Sequence, residues 1–560
     1  MPLRSAVLLT LLAVVGCRHG EPADYVLRHG VVYPFAIDSA PAQAIAIRDG
    51  QVVYVGTDRG VGSFIGRKTV VFDLKGRVVL PAFRDTHLHP RGGIQLGECP
   101  LDDLTTQQAV LDSVSRYAGA HPDLPWIRGS GWQLPVFPDA NPRKEWLDRI
   151  VPDRPVYLRA ADGHSAWVNS RALAMAGITR ATRDPVNGRI ERDPKTGEPT
   201  GTLRESAMAL VTRILPARTE EEVREGLRRA IAMANKFGIT ALYDASVDTT
   251  LLGAYAALDS MGALNARVVA AITVDPEDGA GQVDSLRAWR DRFAGRHYFS
   301  PRAAKLFVDG VIEAKTAALL APYLGGTSSG EPNFKPEALD TVVAALDAAG
   351  FQVHAHAIGD RAVRMALDAF AFARRLNGPR DARPIIAHLE MIDSTDIPRF
   401  ASEGVIPSFQ PLWAQADDYI TRLTEPILGP ARSAHLYPIG SVVKAGAALA
   451  IGSDWPVTGM DPLEAIQVAV TRRGPNAGPG PAWLPVEQVD LGTVLRAYTL
   501  GGAYAVGEEA TGGTLELGKA GDLIVLDRDL YKIPPTDIHR AKVLLTLLDG
   551  REVWRDPRTR

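Results

Sequence analysis

Short apolar segments with the character of buried β-strands alternate with helix-like stretches through most of the chain. They lie at residues 78–80, 239–243, 268–274, 303–308, 351–355, 384–387, 405–409 and 448–451. Strands that alternate with helices form parallel sheets, and about eight such strands can close into a (β/α)8 barrel. The sequence therefore predicts an α/β fold built on a TIM-like barrel, with residues 78–80 as its first strand.

The two ends of the chain show a different pattern, in which short strands are separated by turns. Asp49 and Gly50 lie between two apolar runs, which is a strong hairpin signal. Similar short strands return at residues 522–526 and 543–546. Neither end is large enough to bury both faces of a sheet alone. We expect residues 24–80 and 510–555 to form one small β-sandwich beside a barrel at residues 81–509.

The segment between His89 and Ile239 is far longer than one βα connection requires. We expect an inserted subdomain at about residues 92–235, directly after the first barrel strand. Loops at that end of a barrel strand surround the mouth where substrate enters.

Charge and composition exclude some classes of partner. The 560 residues carry a formal net charge of −3, with 46% hydrophobic and 23% charged residues, as in ordinary globular proteins. This balance gives no reason to expect nucleic acid or an anionic membrane surface as a partner.

The first seventeen residues read as a targeting segment. Arg4 supplies a positive charge, and residues 6–15 are apolar but too short to span a bilayer as a helix. Residues 1–17 resemble a bacterial lipoprotein signal peptide, in which Cys17 becomes the lipidated first residue; the alternative is a plain secretory signal cleaved nearby. We expect export to the bacterial periplasm or cell surface, with membrane contact only through an N-terminal lipid anchor.

His87 and His89 follow the first apolar segment. If the backbone stays extended, residues two apart point to the same side, about 7 Å from each other at their Cα atoms. Two imidazoles so placed can bind a single metal ion. His-x-His also occurs in ordinary strands, so the interpretation depends on further ligands.

Further candidate ligands stand at the ends of other predicted strands. His356, His388 and Asp454 each end such a segment, and the C-terminal ends of barrel strands converge on one face. Lys305 lies within an apolar strand, where an ammonium group is costly to bury. It needs either a salt bridge, for example to Asp309 or Glu313, or a functional role.

Four motifs resemble the amidohydrolase superfamily, and more narrowly amidohydrolase family 3, which contains N-substituted formamide deformylase-like enzymes. They are residues 79–89, 305–310, 354–361 and 452–457. The similarity extends from about Tyr25 to Arg555. The chain departs from the usual family pattern at Ala82, Arg84 and Gln133, which we expect to affect substrate preference rather than metal binding.

The resemblance implies six metal ligands: His87, His89, Lys305, His356, His388 and Asp454. The first two histidines would bind the more buried metal, and the other two the more exposed one. Lys305 would be carbamylated by carbon dioxide and would bridge both ions. Asp454 would bind the buried metal and carry the proton.

Histidines and carboxylates without thiolates suit two Zn²⁺ ions, and also Mn²⁺, Fe²⁺, Co²⁺ or Ni²⁺. The expected reaction is hydrolysis of an amide or related non-peptide C–N bond in a small molecule by metal-bound hydroxide, with Asp454 transferring the proton. The alternatives are a metal-dependent esterase, lactonase or cyclic amidase, or an exported binding protein without catalysis.

Four other residues are candidates for substrate contact: His164, Tyr323, Gln410 and Trp413. For His164 the alternative is a solvated turn histidine, and for the other three it is a place in the core. His354 shares a strand face with His356, and we interpret it as a hydrogen-bonded core residue or an alternative ligand.

Overall fold

A computed structural model of the protein describes residues 21–36, 39–102 and 104–559. The predicted signal peptide at residues 1–17, including Cys17, lies outside the described residues, so export and lipid attachment stay predictions. Within the described ranges, no helix is long and apolar enough to cross a membrane.

The strands are numbered along the chain and form four sheets. β1–β6 are Tyr25–Arg28, Val31–Val32, Ala44–Arg48, Gln51–Gly56, Val70–Asp73 and Val78–Pro81, and β7 is Phe83–Leu88. β8–β13 are Cys99–Pro100, Ile127–Trp132, Val156–Ala160, Ser165–Val168, Gly188–Arg192 and Pro199–Glu205. β14–β20 are Ile239–Val247, Arg267–Thr273, Phe299–Phe307, Gln352–Ala357, Ile385–His388, Ile406–Phe409 and Ala450–Ile451. β21–β23 are Leu523–Leu526, Val543–Leu548 and Arg551–Arg555.

The α-helices are numbered in the same way. α1–α9 are Asp58–Val61, Gly92–Gln95, Gln107–Ala120, Lys144–Ile150, Ser170–Met175, Ala209–Thr212, Glu220–Lys236, Thr249–Ser260 and Val283–Phe293. α10–α18 are Pro336–Ala348, Asp360–Asn377, Ile397–Glu403, Glu425–Leu428, Pro430–Ser433, Ile439–Lys444, Pro462–Thr471, Leu491–Arg496 and Gly502–Ala505.

The central sheet confirms the predicted barrel. Its eight strands follow the order β7, β14, β15, β16, β17, β18, β19 and β20, and every neighbouring pair is parallel. Nearly all residues of these strands are buried, because helices cover the outer face of a parallel sheet. The apolar segments predicted from residue 239 onward correspond to β14–β20.

The barrel closes at a seam between its first strand, β7, and its last, β20. One carboxylate oxygen of Asp85 accepts the backbone N–H groups of His87 and Ser453, each at 3.1 Å. The backbone N–H of Asp454 donates to the His87 carbonyl at 2.7 Å. A Cβ atom at Gly452 would lie 2.6 Å from the backbone nitrogen of His87, so this approach requires glycine. The seam brings the His-x-His motif directly against Asp454.

Both ends of the chain build one satellite sandwich, as the sequence predicts. One sheet has the order β4, β3, β1, β5, and the other has the order β2, β6, β21, β22, β23. Leu27 and Ile45 from the first part share a core with Leu523 and Leu545 from the second.

The expectation that residues 78–80 supply the first barrel strand is wrong. These residues form β6, which pairs in parallel with β2 and antiparallel with β21 in the sandwich. After β6 the chain passes through Ala82 into β7, which takes the first place in the barrel instead.

A third body lies between β7 and β14. β8–β13 form a mixed sheet with the order β12, β13, β11, β10, β9, β8. The sheet has its own core, which includes Val110, Trp132 and Trp167. Residues 159–164, at the turn between β10 and β11, line the main cleft of the protein.

Candidate metal centre

The six predicted ligands converge on one cleft at the C-terminal face of the barrel. The cleft has a volume of about 1220 Å³, and all six side chains line it: His87, His89, Lys305, His356, His388 and Asp454. They lie on β7, β16, β17 and β18, or within three residues after β7 and β20. Parallel strands end at the same face, which explains how residues so distant in sequence meet.

His87, His89, Lys305 and Asp454 form one closely spaced group within this set. One Asp454 oxygen, Oδ1, lies 3.1 Å from His89 Nε2 and 3.4 Å from His87 Nε2. Lys305 Nζ lies 3.4 Å from the same His87 nitrogen. Ligands held tetrahedrally at about 2.0–2.1 Å from a zinc ion are about 3.3–3.4 Å apart, so this spacing suits a shared cation.

Asp454 provides a second sign of a cation site. Its Oδ1 atom is buried and has no hydrogen-bond partner among the described residues. A buried carboxylate oxygen without a partner carries a large desolvation cost, which a bound cation would offset. His87, His89 and Asp454 can each offer one ligand atom, and these atoms lie within 4.8 Å of one another. The donor set therefore fits a divalent metal.

Two of the candidate ligands lie at strained backbone positions. Asp454 has a φ of 54° and His388 a φ of 78°. Residues other than glycine rarely adopt these values, and those that do are concentrated at functional sites.

Three hydrogen bonds fix the orientation of the histidine rings. His87 Nδ1 lies 2.7 Å from His354 Nε2, and His388 Nδ1 lies 2.9 Å from Gln410 Oε1. His356 Nε2 donates to the carbonyl of Gly310 at 3.1 Å. Histidine ligands of metals characteristically bond a second protein group through the other ring nitrogen. The arrangement leaves Nε2 of His87, Nε2 of His388 and Nδ1 of His356 for a metal.

Burial keeps the imidazoles neutral. It moves the pKa values of His87, His356 and His388 well below the usual range, and nearby charged groups add to the effect. Burial also lowers the pKa of Lys305 to about 7, although Asp454 and Asp244 oppose the shift. Neutral imidazole is the form that binds a metal, and a neutral amine is the form that reacts with carbon dioxide.

The salt bridge considered for Lys305 does not form with either candidate carboxylate. Asp309 accepts the backbone N–H groups of Ala318, Ile358 and Gly359 at 2.9–3.0 Å. Glu313 accepts the hydroxyl of Thr424. Asp309 thus ties the loops after β16 and β17 together, and burial raises the pKa of its carboxyl to about 7.

His164 extends from the inserted subdomain toward the ligands. Its ring centroid lies 5.3 Å from that of His356, and its Nδ1 lies 2.8 Å from Glu205 Oε2. Burial lowers the pKa of His164, but the Glu205 carboxylate, with Asp162 and Asp454, outweighs it and raises the pKa to about 9. Thr316 donates its hydroxyl to the other Glu205 oxygen at 2.8 Å. His164 therefore presents a positive charge to the cleft at neutral pH.

The other three predicted substrate residues do not line the cleft. Trp413 stacks on His388 with centroids 5.4 Å apart and 4° between the rings, and Gln410 bonds the same histidine. Tyr323 is buried and donates its hydroxyl to the carbonyl of Ala317 at 2.8 Å. Their contact with substrate stays a prediction, and the geometry favours Gln410 and Trp413 as supports of His388.

The chain is similar to several known proteins. A profile of the amidohydrolase family matches residues 70–554. The protein LONG AFTER FAR-RED 3 of Arabidopsis thaliana is 30% identical over 550 residues, or 96% of this chain and 92% of that protein. The N-substituted formamide deformylase of Arthrobacter pascens is 27% identical over 533 residues, or 91% of this chain and 94% of that enzyme. The crystal structure of an uncharacterized metal-dependent hydrolase from Pyrococcus horikoshii OT3 is 25% identical, with a TM-score of 0.72, and covers 91% of this chain and 99% of that one.

Proposed function

Because the chain belongs to the amidohydrolase family, we propose that it hydrolyses an amide or related non-peptide C–N bond in a small molecule with the help of divalent metal ions. The convergence of the His87 and His89 imidazoles on Oδ1 of Asp454, which has no hydrogen-bond partner among the described residues, supports this proposal most directly. The formamide deformylase among the relatives acts on N-substituted formamides, and we propose amides of that general kind as substrates.

We infer that two metal ions, most simply zinc, bind here. His87, His89 and Asp454 would hold one, and His356 and His388 would contribute to the other, since oxygen and nitrogen donors without thiolate suit zinc and its neighbours in the series. Lys305 would join both as a carbamate. Its pKa of about 7 favours the reactive amine at neutral pH.

Each residue has a distinct task in the proposed reaction. Divalent metal ions held by these residues would supply Lewis-acid chemistry, which lowers the pKa of water from 15.7 toward about 7. Asp454 accepts a proton from the attacking water and passes it to the leaving amine, since its carboxylate lies among the candidate ligands in the cleft. His164, held by Glu205, donates a hydrogen bond to the substrate from the subdomain above.

Metal removal tests the proposed function. Dialysis against a strong chelator is expected to abolish hydrolysis of N-substituted formamides and N-acyl amines, and addition of zinc or manganese to restore it. Elemental analysis of the purified protein should find bound divalent metal. Matched esters and lactones in the same assay test the alternative activities. Hydrolysis that persists without metal, or esters cleaved while every amide stays intact, would contradict the proposal.

The pairing of His164 with Glu205 predicts a specific pH dependence. Because the pKa of His164 is raised to about 9, the charged ring is present below that pH and lost above it. We expect kcat/KM to fall as the pH rises through about 9. Glu205→Gln removes the charge that raises this pKa, so the fall should move to lower pH.

The exposed Glu198, on the turn before β13, provides a matched control. Glu198→Gln should leave the pH profile in place. If Glu205→Gln leaves the pH profile unchanged, His164 does not control the fall of kcat/KM at high pH.

A further inference from the structure

Three large apolar side chains that are exposed to solvent line the cleft, although others are scattered over the rest of the described surface. Leu96 is 49% exposed, Val186 is 68% exposed and Trp289 is 36% exposed. All three line the same cleft as the candidate metal ligands. Single exposed apolar residues are common, but a group of them around one cleft marks a binding surface.

These side chains come from three separate parts of the chain. Leu96 directly follows α2, Val186 precedes β12 in the inserted subdomain, and Trp289 lies on α9 after β15. Met208, which follows β13 and is partly buried, lines the cleft too. The packing of any one segment does not explain why apolar side chains from separate segments line the same cleft.

The size of the cleft agrees with a large substrate. Ordinary small-molecule pockets have volumes of about 300–1,000 Å³. The cleft here measures about 1220 Å³, whereas the proposed chemistry needs room only for the scissile bond and its polar neighbours. Most of the volume is therefore available to a part of the substrate that does not react.

We propose that the substrate is an amide carrying a long or bulky apolar group, which contacts the cleft through Leu96, Val186, Met208 and Trp289, the apolar wall. This inference rests on the proposed function, because it assigns the scissile bond to the metal centre in the same cleft. The apolar wall would bind the apolar group, and the metal centre would bind the scissile amide.

A homologous series of substrates measures the effect of the wall. Burial of one methylene group contributes about 0.8 kcal/mol, which is about a fourfold change in affinity. Since the wall is partly open to solvent, we expect kcat/KM to rise about two- to fourfold per methylene. The metal-loaded protein should show this rise in one of two series, N-alkylformamides from methyl to octyl or N-acyl methylamines from acetyl to decanoyl. The responding series identifies the side of the amide that carries the apolar group.

Substitution of the wall provides the structural test. For the responding series, kcat/KM of the longest substrate can be divided by kcat/KM of the shortest. Trp289→Ser is expected to lower this ratio by about tenfold, because several methylene contacts are lost. Leu376, at the end of α11, is 67% exposed and lies outside the cleft lining. Leu376→Ser removes similar apolar surface and should leave the ratio unchanged.

Binding of n-alkanesulfonamides separates this inference from the proposed function, since their S–N bond resists hydrolysis. Calorimetry should show affinity rising with chain length in the wild-type protein and a smaller rise in Trp289→Ser. If affinity rises with chain length in this way but no amide is hydrolysed, the proposed function is wrong and the apolar wall is still supported as a binding surface. If the affinity does not change with chain length, or if Trp289→Ser does not alter that dependence, the proposed apolar binding surface is wrong.

Discussion

Asp454→Asn is expected to lower kcat by about 10²- to 10⁴-fold, the usual contribution of a positioned proton carrier. Asparagine has nearly the same shape as aspartate and tolerates the left-handed backbone that residue 454 adopts, at a φ of 54°. The fold should therefore persist. The amide cannot accept a proton from water or return it to the leaving amine, so the loss should fall on kcat rather than on KM.

Asp461 offers a matched control for this substitution. Its half-buried side chain caps α16 by accepting the backbone N–H of Leu463 at 2.9 Å. Asparagine caps helices equally well, so Asp461→Asn should keep near-normal activity. Steady-state kinetics, with metal content measured on the same samples, compares the two variants. If the metal-loaded Asp454→Asn protein turns over at close to the wild-type rate, Asp454 is not the group that transfers the proton.

Lys305→Ala is expected to lose most of its bound metal and to lower kcat/KM by at least about 100-fold. Loss of a group that only orients a ligand costs about 10- to 100-fold, and a bridging ligand should cost more. The substitution leaves a buried space next to His87, whose Nε2 lies 3.4 Å from the lysine amine. Formate, acetate or propionate could enter that space and replace the carbamate. We expect these acids to restore part of the metal content and activity.

Two comparisons make the lysine experiment decisive. Lys305→Met keeps more of the buried volume, so it should lose metal in the same way but without rescue by acids. Lys335, an exposed lysine before α10, serves as the surface control, and Lys335→Ala should retain both metal and activity. Full metal occupancy in Lys305→Ala without any added acid would show that the lysine has a structural role.

The barrel and its ligands could be predicted because their signals are local. Apolar runs of strand length mark β14–β20, and the two-residue period of a strand places His87 and His89 on one side. Since parallel strands end at one face, the positions of His356, His388 and Asp454 at strand ends were enough to predict that they meet. The function required more, because the ligand roles came from the family resemblance.

The remaining features depend on contacts between distant parts of the chain. β6 has the apolar composition of a barrel strand, and only its pairing with β21 from the far end places it in the sandwich. The bond between His354 and His87 likewise joins two strands that are not neighbours in the sheet. Gly310 bonds His356 through its carbonyl, and a carbonyl group carries no signal in the sequence. Glu205 reaches His164 across the fold of the inserted subdomain.

The seam of the barrel links chemistry to the integrity of the fold. His87 and His89 enter from one side of it and Asp454 from the other. A cation shared by the three would act as a cross-link between strands from opposite ends of the barrel sequence, and part of its binding free energy would then count as folding free energy. Loss of the ion and separation of β7 from β20 would then occur together. A protease that digests the opened chain would therefore act on metal-free protein.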